Sequence, residues 1–471
     1  MIDRVTDQVT SINAPAAFRT NPVTNARSVA EAAKHASHTL APLSTEHRNA
    51  ALEAIAQALE ASTVPILSAN AEDLAAADAL VAAGELSPAN QARLALSPYK
   101  LAEMIAQLRA VAALPDPLGR RLDAVELDRG LDLEKVSVPL GVLAVIFEAR
   151  PDAVTQIAAL ALKSGNAVLL KPGKEVERTA AALVDVIRDA LAATSIPPDA
   201  VALILGREQV AELLHLSRLI DLVIPRGSRA LVEHIQANTR IPVLGHADGI
   251  CHIFVDAHAD QALALAVIDD AKTDYPAVCN AVETALIHQS IAGEFLPKLA
   301  HRLHAKGVTL LADDRTRAVF TQSAAQPPAS QQASVQTPAP ELGEVKDWHT
   351  EYGDLTLALR VVDSLDQAID HIHQYGSAHT EAICTSDPAA AARFLNEVDA
   401  ATVLLNASTR FADGFRFGLG AEVGVSTGKI HARGPVGLEG LTTYKYIVRG
   451  QGHLVADYRG PDAHPFTHRR T

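Results

Sequence analysis

From Val29 to about Ala113, apolar residues recur at helical spacing in an Ala-rich background. Ala51, Leu52, Ile55, Ala58 and Leu59, for example, share one face of a helix. Residues 1–28 lack such a period and predict an N-terminal arm. The pattern changes at Leu131. Short β-branched runs at 141–147, 167–170, 201–205, 219–224, 242–245 and 252–255 alternate with helix-like segments at 153–164, 177–193, 208–216 and 228–238. This alternation predicts βαβ units and a parallel sheet covered by helices on both faces. Such sheets hold ligands at the carboxyl ends of their strands.

Between these patterned stretches, residues 321–340 (TQSAAQPPASQQASVQTPAP) carry no charge and few bulky apolar side chains. They predict a disordered surface insertion, because they bury too little to offset the entropy of ordering. Apolar alternation resumes at 355–362, as a strand rejoining the same domain would. A chain of 471 residues exceeds one hydrophobic core and predicts two or three domains. The formal charge of −14 argues against nucleic acid or an anionic membrane as partner, and it requires a local basic pocket for any anionic substrate. Three cysteines, Cys251, Cys279 and Cys384, are too few and too scattered for a disulfide framework or a CxxC metal site. No apolar run has the length of a membrane span, and the N-terminus lacks the apolar core of a signal peptide, so a cytoplasmic protein is expected.

Four loops place unusual polar residues after apolar strands. In VIFEARPDA, Arg150 either pairs with a neighbouring acid or faces an anionic ligand. In LLKPGKE, Lys171 ends a strand and Lys174 follows the Pro172-Gly173 turn; the two lysines are either solvated or set to hold a ribose and a phosphate. In VIPRGSRALV, Gly227 permits close backbone approach and Ser228 is an N-cap, although no GxGxxG is present. In AKTDYPAVCNAVETALIH, Cys279 is either a small buried hydrophobe or a nucleophile; it lies in an irregular loop beside Asn280, outside any apolar period. Cys384 reads as a strand residue, which leaves Cys279 the best thiol for chemistry.

Taken together and in order, these loops resemble the γ-glutamyl phosphate reductase family, as do IPVLGHADGICHIFVD, TRFADGFRFGLGAEVGVSTGKIHARGPVGL and LTTYKY. The resemblance implies an aldehyde-dehydrogenase-like α/β fold with a Rossmann-like cofactor domain (29–130 and 148–258), an α/β catalytic domain (259–435) and a small oligomerisation element (131–147 and 436–471). It implies NADPH-dependent reduction of L-glutamyl 5-phosphate in proline biosynthesis, with Cys279 as the thiol. Under the same resemblance Lys171, Gly173, Lys174, Gly227, Ser228 and Glu351 bind the cofactor, Lys174 taking the 2′-phosphate. Arg150, Lys429 and Arg433 either bind the substrate's anionic groups or make structural ion pairs, and the oxyanion donors are the Cys279 backbone N–H together with Asn280 or Arg150. No metal is implied; a homo-oligomer and a glutamate 5-kinase are the implied partners.

Two departures from hydrolytic aldehyde dehydrogenases stand out. Their general-base glutamate falls near His246, where this sequence has no carboxylate, and their oxyanion-hole asparagine falls near Ala149. A thioester enzyme without a water-activating base passes its acyl group elsewhere. A non-phosphorylating semialdehyde dehydrogenase, the alternative reading, would keep both residues.

Overall fold

The computed structural model describes residues 25–325 and 341–470. Val142–Phe147 reads VLAVIF and is buried at every position, the composition of a strand covered on both faces. It is an inner strand of a four-stranded parallel sheet ordered Val201–Leu203, Ala167–Pro172, Val142–Phe147, Leu222–Arg226. The helix Ala153–Lys163 is almost wholly buried because it is wedged between this sheet and the helices Thr45–Ala61 and Pro98–Ala113. On Glu177–Leu191, Ala180, Leu183, Val184, Ile187 and Leu191 form the buried stripe that a helical period prescribes. Ala26–Leu40 turns Ala26, Ala30 and Ala33 inward, and these small side chains let it lie close against Ala167–Pro172.

A second parallel sheet has seven strands in the order Gly343–Glu344, Thr309–Ala312, Thr356–Val362, Val282–His288, Cys251–Val255, Thr380–Cys384, Thr402–Leu405. The resumption of alternation at 355–362 is therefore a strand of the same sheet as Val282–His288. A third, antiparallel sheet orders Thr442–Arg449, Leu131–Pro139, Arg121–Asp128 and Arg469–Arg470. Among the described residues no single helix is long and apolar enough to cross a membrane.

Several expected boundaries differ. Residues 142–147, assigned above to the oligomerisation element, belong to the four-stranded sheet. The divide falls near Gly141, where the half-exposed Leu131–Pro139 gives way to the fully buried VLAVIF. Arg121–Asp128 pairs with the antiparallel sheet, and Cys251–Val255 with the seven-stranded one, and neither joins the four-stranded sheet. The run at 242–245 makes only a bridge from Val243 to Val223, since Pro242 has no N–H to give. Residues 321–325 end the helix Asp314–Ala325 instead of opening an insertion, and 326–340 lie outside the described residues. Asn25 caps a helix that starts at Ala26, inside the span expected to be an arm, while 1–24 lie outside the described residues.

Candidate active site

The loop bearing Cys279 joins the helix Gln261–Thr273 to the buried strand Val282–His288. Its two ends are clamped by a fully buried ion pair between Lys272 and Glu283, Nζ to Oε2 2.8 Å. From below, Cys251 donates its Sγ–H to the Cys279 carbonyl at 3.2 Å. Gly249 is packed so closely that a Cβ built on it would lie 2.2 Å from the same carbonyl oxygen. The Cys279 backbone is therefore fixed on two sides.

Two imidazoles face the sulfur. His246 and His379 each bring one ring nitrogen within 4.8 Å of the other's and of Cys279 Sγ. His246 is oriented by Nδ1 at 2.9 Å from the Val425 carbonyl, and His379 by Nδ1 at 2.8 Å from Thr380 Oγ1. Burial alone would push the thiol up. The imidazoles of His379 and His246 outweigh this and hold Cys279 well below the ordinary thiol value. For His246 burial disfavours the charged ring, but the Cys279 sulfur and the Val425 carbonyl prevail and push its pKa up to about 9. The other two thiols behave oppositely: burial raises Cys251 well above the usual value, and Cys384 to about 12. Cys279 is thus the thiol prepared as a thiolate.

The sulfur opens into a cavity of about 570 Å³ lined by Arg150, Arg226, His246, Glu351, Arg410 and Glu422 among others. Arg226 ends the strand Leu222–Arg226, and its Nη1 is buried without a hydrogen-bond partner. Burial first, and then the nearby Arg150, push its pKa down to about 10, with Glu422 opposing, so it stays cationic at neutral pH. Arg226 and Arg150 provide a basic pocket in an acidic chain. Glu351 accepts the Gly249 N–H, and burial raises its carboxyl.

The expected site residues divide. Cys279, Asn280, Arg150, Gly227, Ser228 and Glu351 come together around the cavity. Asn280 is tethered on both sides of its amide: Nδ2 donates one of its two N–H bonds to the Ala412 carbonyl at 2.9 Å, and Oδ1 accepts from Arg410. These bonds hold the loop, and the second Nδ2 N–H is not used by either of them. Lys429 and Arg433 do not line the cavity; both bind Asp399, each at 2.6 Å, because that carboxylate lies between them on the surface. Lys171, Gly173 and Lys174 sit outside the cavity at the carboxyl edge of the four-stranded sheet, where Lys171 and Pro172 are in register with Ile146 and Phe147, and these in turn with Pro225 and Arg226. Lys174 is paired there with Glu85. At that turn Gly227 leaves space that the Glu148 carboxylate fills, and Glu148 Oε2 accepts the Ser228 N–H at 3.0 Å. The start of the helix Arg229–Asn238 therefore already holds an anionic oxygen, which is what a dinucleotide's phosphates require.

Sequence reasoning missed His379 and Arg226 as site residues and saw in His246 only a missing carboxylate. Arg226 gave a signal, a cation ending an apolar strand. His379 precedes the buried strand Thr380–Cys384 and reaches the thiol through the neighbouring strand order, which spacing does not reveal.

Residues 10–318 match the aldehyde dehydrogenase family. The γ-glutamyl phosphate reductase of Synechococcus sp. strain JA-2-3B'a(2-13) is 55% identical over 92% of this chain and 92% of its own. That of Acaryochloris marina is 53% identical over 94% of this chain and 97% of its own. The crystal structure of γ-glutamyl phosphate reductase from Thermotoga maritima superposes with a TM-score of 0.84 at 38% identity, over 92% of this chain and 100% of that one. On this similarity, which runs through both parallel sheets and the thiol loop between them, the chain belongs to the γ-glutamyl phosphate reductases of the aldehyde dehydrogenase family.

Proposed function

We propose that this chain reduces L-glutamyl 5-phosphate to L-glutamate 5-semialdehyde and phosphate, the proline-biosynthesis step its relatives are named for, through a thioester on Cys279. The observation that carries the reading is a depressed thiol between two imidazoles, facing a pocket whose cations suit an acyl phosphate. The Cys279 thiolate attacks the acyl carbon, and the carbon–oxygen bond to phosphate breaks with its electron pair on phosphate. Arg150 and Arg226 receive that charge. A nicotinamide dinucleotide, when bound, supplies hydride to the thioester carbon. Collapse of the resulting thiohemiacetal alkoxide breaks the carbon–sulfur bond and returns a thiolate to His246 and His379, with no added proton.

Lys171, Gly173, Gly227, Ser228 and Glu351 are the residues that would hold the dinucleotide. Lys171 and Lys174 favour NADPH, because a basic sheet edge suits a 2′-phosphate, with Lys174 exchanging Glu85 for it. We place the enzyme in the cytoplasm as a homo-oligomer. The test is the reverse reaction. NADPH formation from glutamate 5-semialdehyde in anion-poor buffer should depend on added phosphate and saturate with it. Equal rates with and without phosphate would make water the acyl acceptor and favour a non-phosphorylating dehydrogenase.

A further inference from the structure

The arrangement around Cys279 has a second chemistry. Cysteine and two histidines, each offering one donor atom, with all three donors within 4.8 Å of one another, are a ligand set for a borderline-soft divalent cation. Tetrahedral zinc, with bonds of about 2.0–2.3 Å, needs donor atoms roughly 3.3–3.7 Å apart. The three side chains would close by only about 1 Å to reach it.

The outer contacts point the same way. In metal sites the ring nitrogen that does not bind the metal usually meets a carbonyl or another polar group. Here His246 Nδ1 lies 2.9 Å from the Val425 carbonyl and His379 Nδ1 lies 2.8 Å from Thr380 Oγ1, which leaves Nε2 of each ring for the third partner. Nε2 of His379 is buried with no hydrogen-bond partner by geometry, although the ring is entirely enclosed. Two of the three ligands, His246 and Cys279, line the cavity, from which water or an anion can reach the site to complete the shell.

We propose that His246, Cys279 and His379 form a reversible three-ligand zinc site that shuts the enzyme by coordinating its nucleophile. The site is an alternative use of the thiol and does not depend on which acyl group the enzyme accepts. Sulfur and imidazole donors select zinc or cadmium over magnesium and calcium, which prefer oxygen.

The test uses the full-length enzyme freed of metal by chelation and titrated with buffered zinc. Metal content, alkylation of Cys279 by iodoacetamide and the absorption spectrum with cobalt in place of zinc are the readouts. One zinc per chain is expected, with alkylation blocked and then restored by EDTA, and with a cobalt–thiolate charge-transfer band that Cys279→Ser abolishes. His379→Asn and His246→Asn should each weaken zinc binding tenfold or more while Cys279 remains open to alkylation without metal. Zinc affinity unchanged in both histidine variants would overturn the proposal, because the metal would then rest on the thiol alone. So would alkylation that continues at saturating zinc, or magnesium protecting as well as zinc does.

Discussion

At the residue scale, the proposed reaction gives the covalent work to the sulfur of Cys279, while its backbone anchors the loop through Cys251 and Gly249. Cys279→Ala should therefore keep the fold and dinucleotide binding yet lower turnover at least a thousandfold, about 4 kcal/mol in the barrier. Single-turnover kinetics beside a fluorescence titration of NADPH would measure both. The reactivity of that thiol should carry the mark of His246. Alkylation slows as pH falls through the depressed thiol value, and removing a cationic neighbour raises that value. The alkylation profile of His246→Asn should thus move to higher pH, with a slower rate at neutrality. An unmoved profile would leave His246 without a part in ionising the sulfur. The cations separate in the same way. Arg226→Gln, which removes a buried guanidinium facing the cavity, should cost about thirtyfold in kcat/KM, ~2 kcal/mol. Lys429→Ala, which only breaks a surface pair with Asp399, should stay within about twofold.

At the scale of elements, the clamp across the thiol loop is the point of greatest mechanical demand. Lys272→Met leaves the Glu283 carboxylate buried without its partner, and breaking such a pair costs about 3–5 kcal/mol. Denaturant unfolding should show that loss, and Glu283→Gln, which can still hydrogen-bond, should show less. These elements were legible in the sequence to different degrees. The periodic stretches were plain: the Ala-rich helices and the VLAVIF strand carry their burial in their spacing. The antiparallel strand Arg121–Asp128 was not, since half-exposed positions give it no apolar run to detect. The thiol stood out because its loop broke the pattern. Its imidazole partners did not, because they come from segments more than 30 residues before it and 100 after it, and only the sheet order brings them together. The roles of Lys429 and Arg433 were not legible either, as basic residues in a Gly-rich loop look alike whether they meet a ligand or a neighbouring acid such as Asp399.

For the whole molecule, the antiparallel sheet stands apart from the two parallel ones and ends in the edge strand Thr442–Arg449, on which Tyr444, Tyr446 and Val448 are exposed. An uncovered edge with aromatic side chains is a surface that a second copy can complete. Tyr446→Asp should accordingly shift sedimentation velocity toward a smaller species while the thermal transition of the parallel sheets is retained. The site itself lies where loops from both parallel sheets converge, so its parts are held by two separate hydrophobic cores. Within the seven-stranded sheet, the approach of Gly249 to Cys279 fixes the position of that sulfur by leaving out an atom. The smallest edit available to a side chain, one methyl group at residue 249, would displace the nucleophile without altering a charge, a donor or an acceptor. Among natural or engineered alleles, then, a silent-looking alanine at this position would be the inactive one, and a survey confined to reactive side chains would pass over it.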